Sequence, residues 1–519
     1  MLRIIRIIIA IISLVAVSLL FLDFTGFAVA QWGWMAKIQF IPALLSLNLV
    51  ALAIVIGLTL LLGRIYCSVI CPLGIFQDVI TRIRIWCAPR RKRRTGLFRY
   101  ARANTRTRLA VLGVFTVLLV LALSNLLAAA IAGLIAPYSA FGRIVTQIFA
   151  PVWRFVNNLL AGYSAADGSY MFDIAPVHAV VLPLIIVALL TLITVALFAA
   201  LGGRAYCNTI CPVGTVLGYL SKYSLFKIRI DTSKCVSCGK CGRFCKSSCI
   251  DVKNHQIDYT RCVACMDCIG RCSESAISYT FRRPKAPQGT DVRSVAKKGS
   301  PAVDKGRRAF MFAGGMAAGA LAVKAAEKTV DGGLTPLKDK KAAEGKPIVP
   351  AGAASVSSFS KHCTACQLCV NACPHGVLQP SSDLDNFMQP HMVFTDTFCR
   401  PDCTLCSTTC PAGAINPVTV EEKTSIKIGN AVVDYSTCIA ASAGKPCGSC
   451  MRHCPAGAIS MVPVENETLG RKTLHPVVDE TVCIGCGSCE YHCPVGTIED
   501  MTSDCAAIRV VGAEIHQTI

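Results

Sequence analysis

The chain contains no Cys-x-x-Cys-His, which excludes covalent attachment of c-type haem. No flavin-binding domain is visible in it. Acidic residues are scarce, 31 against 52 Lys and Arg, and the basic surplus is concentrated. Arg82 to Arg108 holds eleven basic residues and no acid, and Phe281 to Arg308 holds nine against two Asp. Such runs can bind phosphate. Both abut apolar segments, however, so they read as cytoplasmic loops under the positive-inside rule, with no nucleic-acid partner. No ionisable residue stands centrally in any long apolar run, so proton-coupled chemistry would lack a proton acceptor there. Asp173 and His178, near the outer end of the last run, are the candidates.

Apolar sequence and cysteine are both abundant. Mean hydropathy is +0.52, and the length of 519 residues implies several domains. Four apolar stretches, about 2–22, 38–62, 109–132 and 177–201, each approach the roughly 20 residues of a membrane-spanning helix. Arg3 and Arg6 place the N-terminus inside. The segment after the first stretch, with Asp23, Trp32 and Trp34, reads as an outer loop with interfacial aromatics, and the segment 134–176 as a second outer loop. The chain then returns to the cytoplasm near Arg204.

Of 31 cysteines, 24 fall in six groups of one repeated pattern. "CVSCGKCGRFC" supplies Cys235, Cys238, Cys241 and Cys245, and "CVACMDCIGRC" supplies Cys262, Cys265, Cys268 and Cys272. In C-x2-C-x2-C-x3-C three thiolates wrap one [4Fe–4S] cube and the fourth ligates its neighbour. One cluster therefore takes Cys235, Cys238, Cys241 and Cys272. The second takes Cys262, Cys265, Cys268 and Cys245, with Cys249 as a substitute for Cys245. No Pro follows either fourth cysteine here. Four further groups occupy the distal half: Cys363, Cys366, Cys369, Cys373; Cys399, Cys403, Cys406, Cys410; Cys438, Cys447, Cys450, Cys454; and Cys483, Cys486, Cys489, Cys493, each ending in Cys-Pro. Zinc knuckles and disulfides do not call for a third cysteine at this spacing six times over. The expected complement is six [4Fe–4S] clusters. His362, His453 and His492, beside ligand cysteines, read as plain loop residues, and Cys87 and Cys505 as free thiols.

"GRIYCSVICPLG" and "GRAYCNTICPVG" end the second and fourth apolar stretches. Cys67 and Cys71, like Cys207 and Cys211, are spaced i, i+4 on one helical face. The two faces are candidates to meet at one metal or redox centre, with buried thiols or a redox dithiol as the alternative.

The first 280 residues resemble the NapH-type membrane ferredoxin, on four spans, two Gly-Arg-x-Tyr-Cys-x3-Cys-Pro motifs and a two-cluster ferredoxin. The remainder resembles the NapG/MauM-type polyferredoxin, on its four cysteine groups and a twin-arginine segment, "DKGRRAFMFAGGMAAGALAVKAA" from Asp304, containing Arg307 and Arg308. The resemblance implies a quinol dehydrogenase module that feeds a periplasmic reductase, of the nitrate-reductase type, or a cytochrome c. It also implies nested pairing of the distal groups, first with fourth and second with third. Twin-arginine export carries folded proteins with cofactors inserted, so in a fusion the signal becomes internal and forms a short fifth span near 309–323, cleaved or not near Ala325. A wholly cytoplasmic tail is the alternative. Membrane cysteines of this type also occur in NosR-type and CcoG-type factors, so maturation or activation of a copper enzyme is the competing function.

The expected fold is thus an α-helical membrane bundle of four spans plus a signal-anchor-like fifth, carrying small α+β bacterial-type ferredoxin domains. The expected units are a membrane domain (1–224), a cytoplasmic two-cluster ferredoxin (225–282), a basic linker (283–306), the export signal (307–326), a polar linker (327–360) and a periplasmic four-cluster domain (361–519). The expected location is a bacterial inner membrane, with the quinone pool as electron source.

Overall fold

The computed structural model describes residues 2–90, 96–122, 126–166, 174–175, 182–281, 340–342, 345–466, 470–497 and 503–519. Asp173, His178, Arg307, Arg308, the basic linker and the expected fifth span lie outside the described residues.

The N-terminal part is helical: α1 (Leu2–Leu22), α2 (Phe27–Lys37), α3 (Phe40–Leu45), α4 (Leu49–Leu62), α5 (Tyr66–Val69), α6 (Pro72–Cys87), α7 (Thr105–Leu121), α8 (Leu126–Ile135), α9 (Pro137–Ile144), α10 (Ala150–Ala166), α11 (Leu182–Gly202), α12 (Ala205–Thr209) and α13 (Pro212–Ser221). α1 and α11 are long and apolar enough to cross a membrane, and the bent α8–α10 unit, which turns by 80°, makes a third if counted as one span. Their outward faces expose Ile5, Ile8, Ile12 and Val15 on α1 and Ile186, Leu190, Ile193 and Leu197 on α11. These residues recur at helical spacing, and in water such a stripe would be costly.

Two expectations are corrected here. The stretch 38–62 is not one helix. It breaks at Leu47, whose φ is +52°, and restarts where the Asn48 side chain accepts from the Ala51 amide and caps α4. Nor are the described residues of 134–176 a loop, since they form α9 and α10. Every residue of α9 is buried. Arg143 lies on α9, and its guanidinium donates to the Gly133 and Leu134 carbonyls at the end of α8. These are helix-terminal acceptors that need a donor.

The cysteine-rich parts are small antiparallel units. β1 (Phe226–Ile230) pairs with β4 (Ile277–Phe281), and β2 (Ile250–Asp251) with β3 (Gln256–Ile257), in the proximal ferredoxin. In the distal part β5 (Leu378–Pro380) pairs with β6 (Pro390–Met392), β7 (Ile426–Val433) with β10 (Ile508–Thr518), and β8 (Ile459–Asn466) with β9 (Arg471–Val478). Residues 348–353, within the stretch expected to be linker, are largely buried in the distal core.

The two cysteine-rich parts sit at opposite ends of the same helices. α1 starts with Arg3 Nε donating to Asp267 of the proximal ferredoxin, 2.8 Å. At its other end Phe21 packs on Tyr138 and Phe141, beside Gly142, whose missing Cβ would stand 2.5 Å from the Cys366 carbonyl. The residues before α4 touch Gly413, whereas its last carbonyls accept from Leu225 N–H and the Tyr279 hydroxyl. α11 begins near Ala365 and Met388, and just beyond its end Arg204 N–H donates to the Lys246 carbonyl. A 21-residue helix is about 31 Å long.

Candidate iron–sulfur centres

Short loops aim the cysteines. In four of the six groups the second residue after the first cysteine (Ser237, Ala264, Ala365, Gly485) has φ between +47° and +77°. The residue after the second cysteine (Gly239, Met266, Gln367, Gly487) has φ between +60° and +79°. Alternating right- and left-handed residues turn successive amides into one concavity, a nest that takes an anionic cluster. The groups with widened spacing, at Cys399 and Cys438, lack this pair.

In the proximal ferredoxin one hollow is lined by Cys235, Cys238, Cys241 and Cys272, and a second by Cys245, Cys249, Cys262, Cys265 and Cys268. Cys245 and Cys249 stand with sulfurs 3.5 Å apart, and both are buried. Among the described residues no three His, Cys, Asp or Glu side chains close on a single-ion site. The donor set, thiols spaced around a nest of amides, fits a cube.

The distal half overturns the nested pairing. Cys410 faces Cys363, Cys366 and Cys369, and Cys373 faces Cys399 and Cys406. Cys493 likewise stands near Cys450, and Cys454 near Cys486 and Cys489. First pairs with second and third with fourth, each pair around its own apolar core. The physical reason is local: each fourth cysteine ends a single turn of helix, such as Leu368–Ala372, that reaches only the adjoining loop. The two pairs meet where Cys399 N–H donates to the Cys486 carbonyl, 3.0 Å. Burial pushes the Cys265 thiol up to about 12 and the Cys366, Cys450 and Cys486 thiols up to about 11. These thiols stay protonated at neutral pH until a metal displaces the proton.

The four membrane-motif cysteines come together. Cys67, Cys71, Cys207 and Cys211 are all buried in one core. The two motifs cross reciprocally: Arg204 Nη1 donates to the Cys67 carbonyl (2.5 Å) and Arg64 Nη2 to the Cys207 carbonyl (3.4 Å). Gln77 Nε2 donates to the Cys207 sulfur at 3.1 Å, and Gly214 N–H to that of Cys211 at 3.3 Å. The same core runs from Val263 and Cys265 of the proximal ferredoxin, through these thiols, Tyr138 and Tyr206, to Cys366 and Leu368. Cys87 is exposed and Cys505 half-buried, apart from these sets. His453 and His492 stack ring on ring at 3.8 Å beside Cys454 and Cys493, and His362 bonds the Ser358 carbonyl.

Sequence reasoning left several residues without a role. Arg64 and Arg204, fully buried, belong to the repeated Gly-Arg that opens each motif, which was the available signal. Nothing in the pattern marked Asp78. Its carboxylate takes Arg204 Nε (2.7 Å), Lys246 Nζ (2.7 Å) and Arg6 Nη1 (3.4 Å), while Lys246 also reaches Asp267 (3.3 Å). Burial pushes the Asp78 carboxyl up, but Arg204 and Lys246 outweigh it and hold it far below the usual carboxylate range.

A "4Fe-4S binding domain" family matches residues 46–95 and 184–232, the two segments that carry the membrane motifs. A "4Fe-4S dicluster domain" family matches 445–497, which holds Cys447, Cys450 and Cys454 of the third group with the whole of the fourth. The methylamine utilization ferredoxin-type protein MauN of Paracoccus denitrificans is 31% identical over 196 residues, 37% of this chain and 52% of that protein. MauN of Methylobacillus flagellatus is 26% identical over 203 residues, 38% of this chain and 53% of it. The putative electron transport protein YccM of Escherichia coli is 44% identical over 61 residues, 12% of this chain and 17% of it. The chain spans about half the length of the MauN proteins it matches. No solved structure matches. Cysteine geometry and these likenesses together give the chain ferredoxin-type [4Fe–4S] domains.

Proposed function

We propose that the chain is a transmembrane electron wire that carries electrons from membrane quinol, or from a cytoplasmic donor, to a periplasmic reductase or cytochrome c. The observation that carries this reading is the placement of ferredoxin-type units at the two ends of α1, about 31 Å apart, with four buried thiols in the core between. That length is close to the ~30 Å hydrocarbon thickness of a bilayer. The chain leaves the proximal unit at Phe281 and is next described at Lys340, whose ammonium bonds the Glu490 and Tyr491 carbonyls of the distal unit. A fifth crossing, started by Arg307 and Arg308, joins the two ends.

In this reading there are six cubes in the ferredoxin units, and Cys67, Cys71, Cys207 and Cys211 hold a seventh centre. The clusters supply one-electron chemistry. The chain's residues set spacing, exclude water and balance charge. Arg143, fully buried, lies between Tyr206 and Cys366 and supplies positive charge on the way to the distal unit. Twin-arginine export, inner-membrane location and the nitrate-reductase-type acceptor belong to the same proposal. The four converging thiols also favour a second reading, copper reduction in the maturation of a copper enzyme.

The test is protease accessibility of a C-terminal epitope in spheroplasts. Digestion in wild type and protection in the Arg307→Lys/Arg308→Lys variant support the wire. Protection in both would keep every cluster in the cytoplasm and end it.

A further inference from the structure

A cavity of about 370 Å³ opens where α6 and the start of α1 meet the proximal ferredoxin. Its volume lies in the range of small-molecule sites, roughly 300–1,000 Å³. Three features define what it would take. Its walls are aromatic, from Trp86, Phe98 and Phe244, and suit a flat ring. Trp86 in its wall is exposed on α6, one turn from exposed Ile83, so a ligand dissolved in the membrane can enter sideways. Its inner end is made by the cluster-binding loops themselves: Phe244 and Lys246 flank Cys245, Asp267 precedes Cys268, and Arg271 precedes Cys272.

Charge sharpens the choice. The acids lining the cavity are already paired, Asp78 with Arg204, Lys246 and Arg6, and Asp267 with Arg3 and Lys246. Among the described residues Arg82 and Arg271 make no ion pair, although Arg271 lies over the Phe244 ring at 4.4 Å. Two cationic donors thus remain for ligand oxygens, one on α6 and one on the ferredoxin. An anionic lipid headgroup would use the cations, but it would gain nothing from aromatic walls or from contact with the cluster loops.

We infer that this cavity binds the head group of a membrane quinone or quinol, with Arg82 and Arg271 as donors to its oxygens. The inference rests on the quinol reading above and gives it a place. Oxidation of the bound quinol breaks its two O–H bonds. The two [4Fe–4S] clusters that the proximal cysteines would hold would each accept one of the two electrons, and the two protons would pass to water beside exposed Arg82. The product is the quinone.

The test uses the full chain in nanodiscs with its clusters loaded and an azidoquinone as photoaffinity probe, followed by peptide mapping. Label on the 81–86 segment is expected. It should fall at least ~10-fold in Arg82→Gln/Arg271→Gln, which removes two charge-assisted bonds, with cluster absorbance unchanged. Ile85→Trp, which fills the cavity, should lower it equally and guards against a folding defect in the first variant. Label elsewhere, or undiminished in both variants, overturns the site. So does native mass spectrometry in which an anionic phospholipid is lost from the variant while labelling persists. Menadiol bleaching of wild-type clusters separates the two levels. Bleaching that survives in both variants keeps the quinol reading and sinks this cavity. No bleaching in wild type sinks the quinol reading, while labelling still reads the cavity.

Discussion

Asp78 concentrates what single residues contribute. One carboxylate faces three cations drawn from α1, from the second membrane motif and from the proximal ferredoxin. Removing its charge strands those cations in a buried site, so Asp78→Asn should destabilise the helical part by about 3–5 kcal/mol. The measurement is the thermal midpoint in detergent. The pH dependence has a definite sign. The folded carboxyl lies far below the ordinary Asp value of about 3.9, so its stabilisation is complete above that value and is lost as pH falls toward the folded one. The gap between wild type and Asp78→Asn should therefore hold steady from about pH 8 to 5 and narrow below about 4. A gap that narrows near neutrality would mean that the network does not stabilise through Asp78. At this scale the ligand cysteines were legible, because spacing encodes which thiols share a loop. Asp78 was not, since its three partners lie between 72 and 168 residues away.

Elements decide how the cysteine loops meet. The two membrane motifs cross because Gly74 and Gly214 admit each motif's own preceding carbonyl and the opposite arginine. A Cβ at Gly74 would stand 2.3 Å from the Cys67 carbonyl and 2.7 Å from Arg204 Nη1. At Gly214 it would stand 2.1 Å from the Cys207 carbonyl and 2.9 Å from Arg64 Nη2. Gly214→Ala should thus spread the four thiols, cost about 1–3 kcal/mol and, on the proposal that they hold a seventh centre, lower iron per chain. Unchanged iron and midpoint would show that the crossing tolerates a methyl group. The distal pairing has its own test, in thiol protection mapped by alkylation and mass spectrometry. Cys410→Ser should expose Cys363, Cys366 and Cys369, and Cys493→Ser should expose Cys438, Cys447 and Cys450. If Cys493→Ser instead exposes the Cys363 group, the nested pairing is right. Motif order alone cannot separate these cases, because six similar groups permit many pairings; the reach of one helical turn does.

The whole molecule is held by docking at both ends of the helical part. At the distal end Asn371 donates to the Thr146 hydroxyl (2.6 Å) and accepts from Arg154 Nη2 (2.9 Å), and Gln147 donates to Gln367 (2.7 Å). Asn371→Ala leaves a buried guanidinium short of an acceptor and should weaken docking by about 1–3 kcal/mol. Faster hydrogen exchange across 363–373, with the proximal ferredoxin unaffected, would report it. Equal exchange in variant and wild type would mean that apolar contacts alone hold the distal unit.

By itself the sequence determined the ferredoxin-type cysteine groups and the apolar character of α1 and α11. These features rest on spacing and periodicity, which are local and survive without a fold. Tertiary structure decided which distal loops pair, that α9 is buried, and that Arg143 is held by carbonyls. It also decided that two motifs 140 residues apart bring four thiols into one core. Those outcomes depend on close approach and on the satisfaction of buried polar groups between distant segments, for which a linear pattern carries no term.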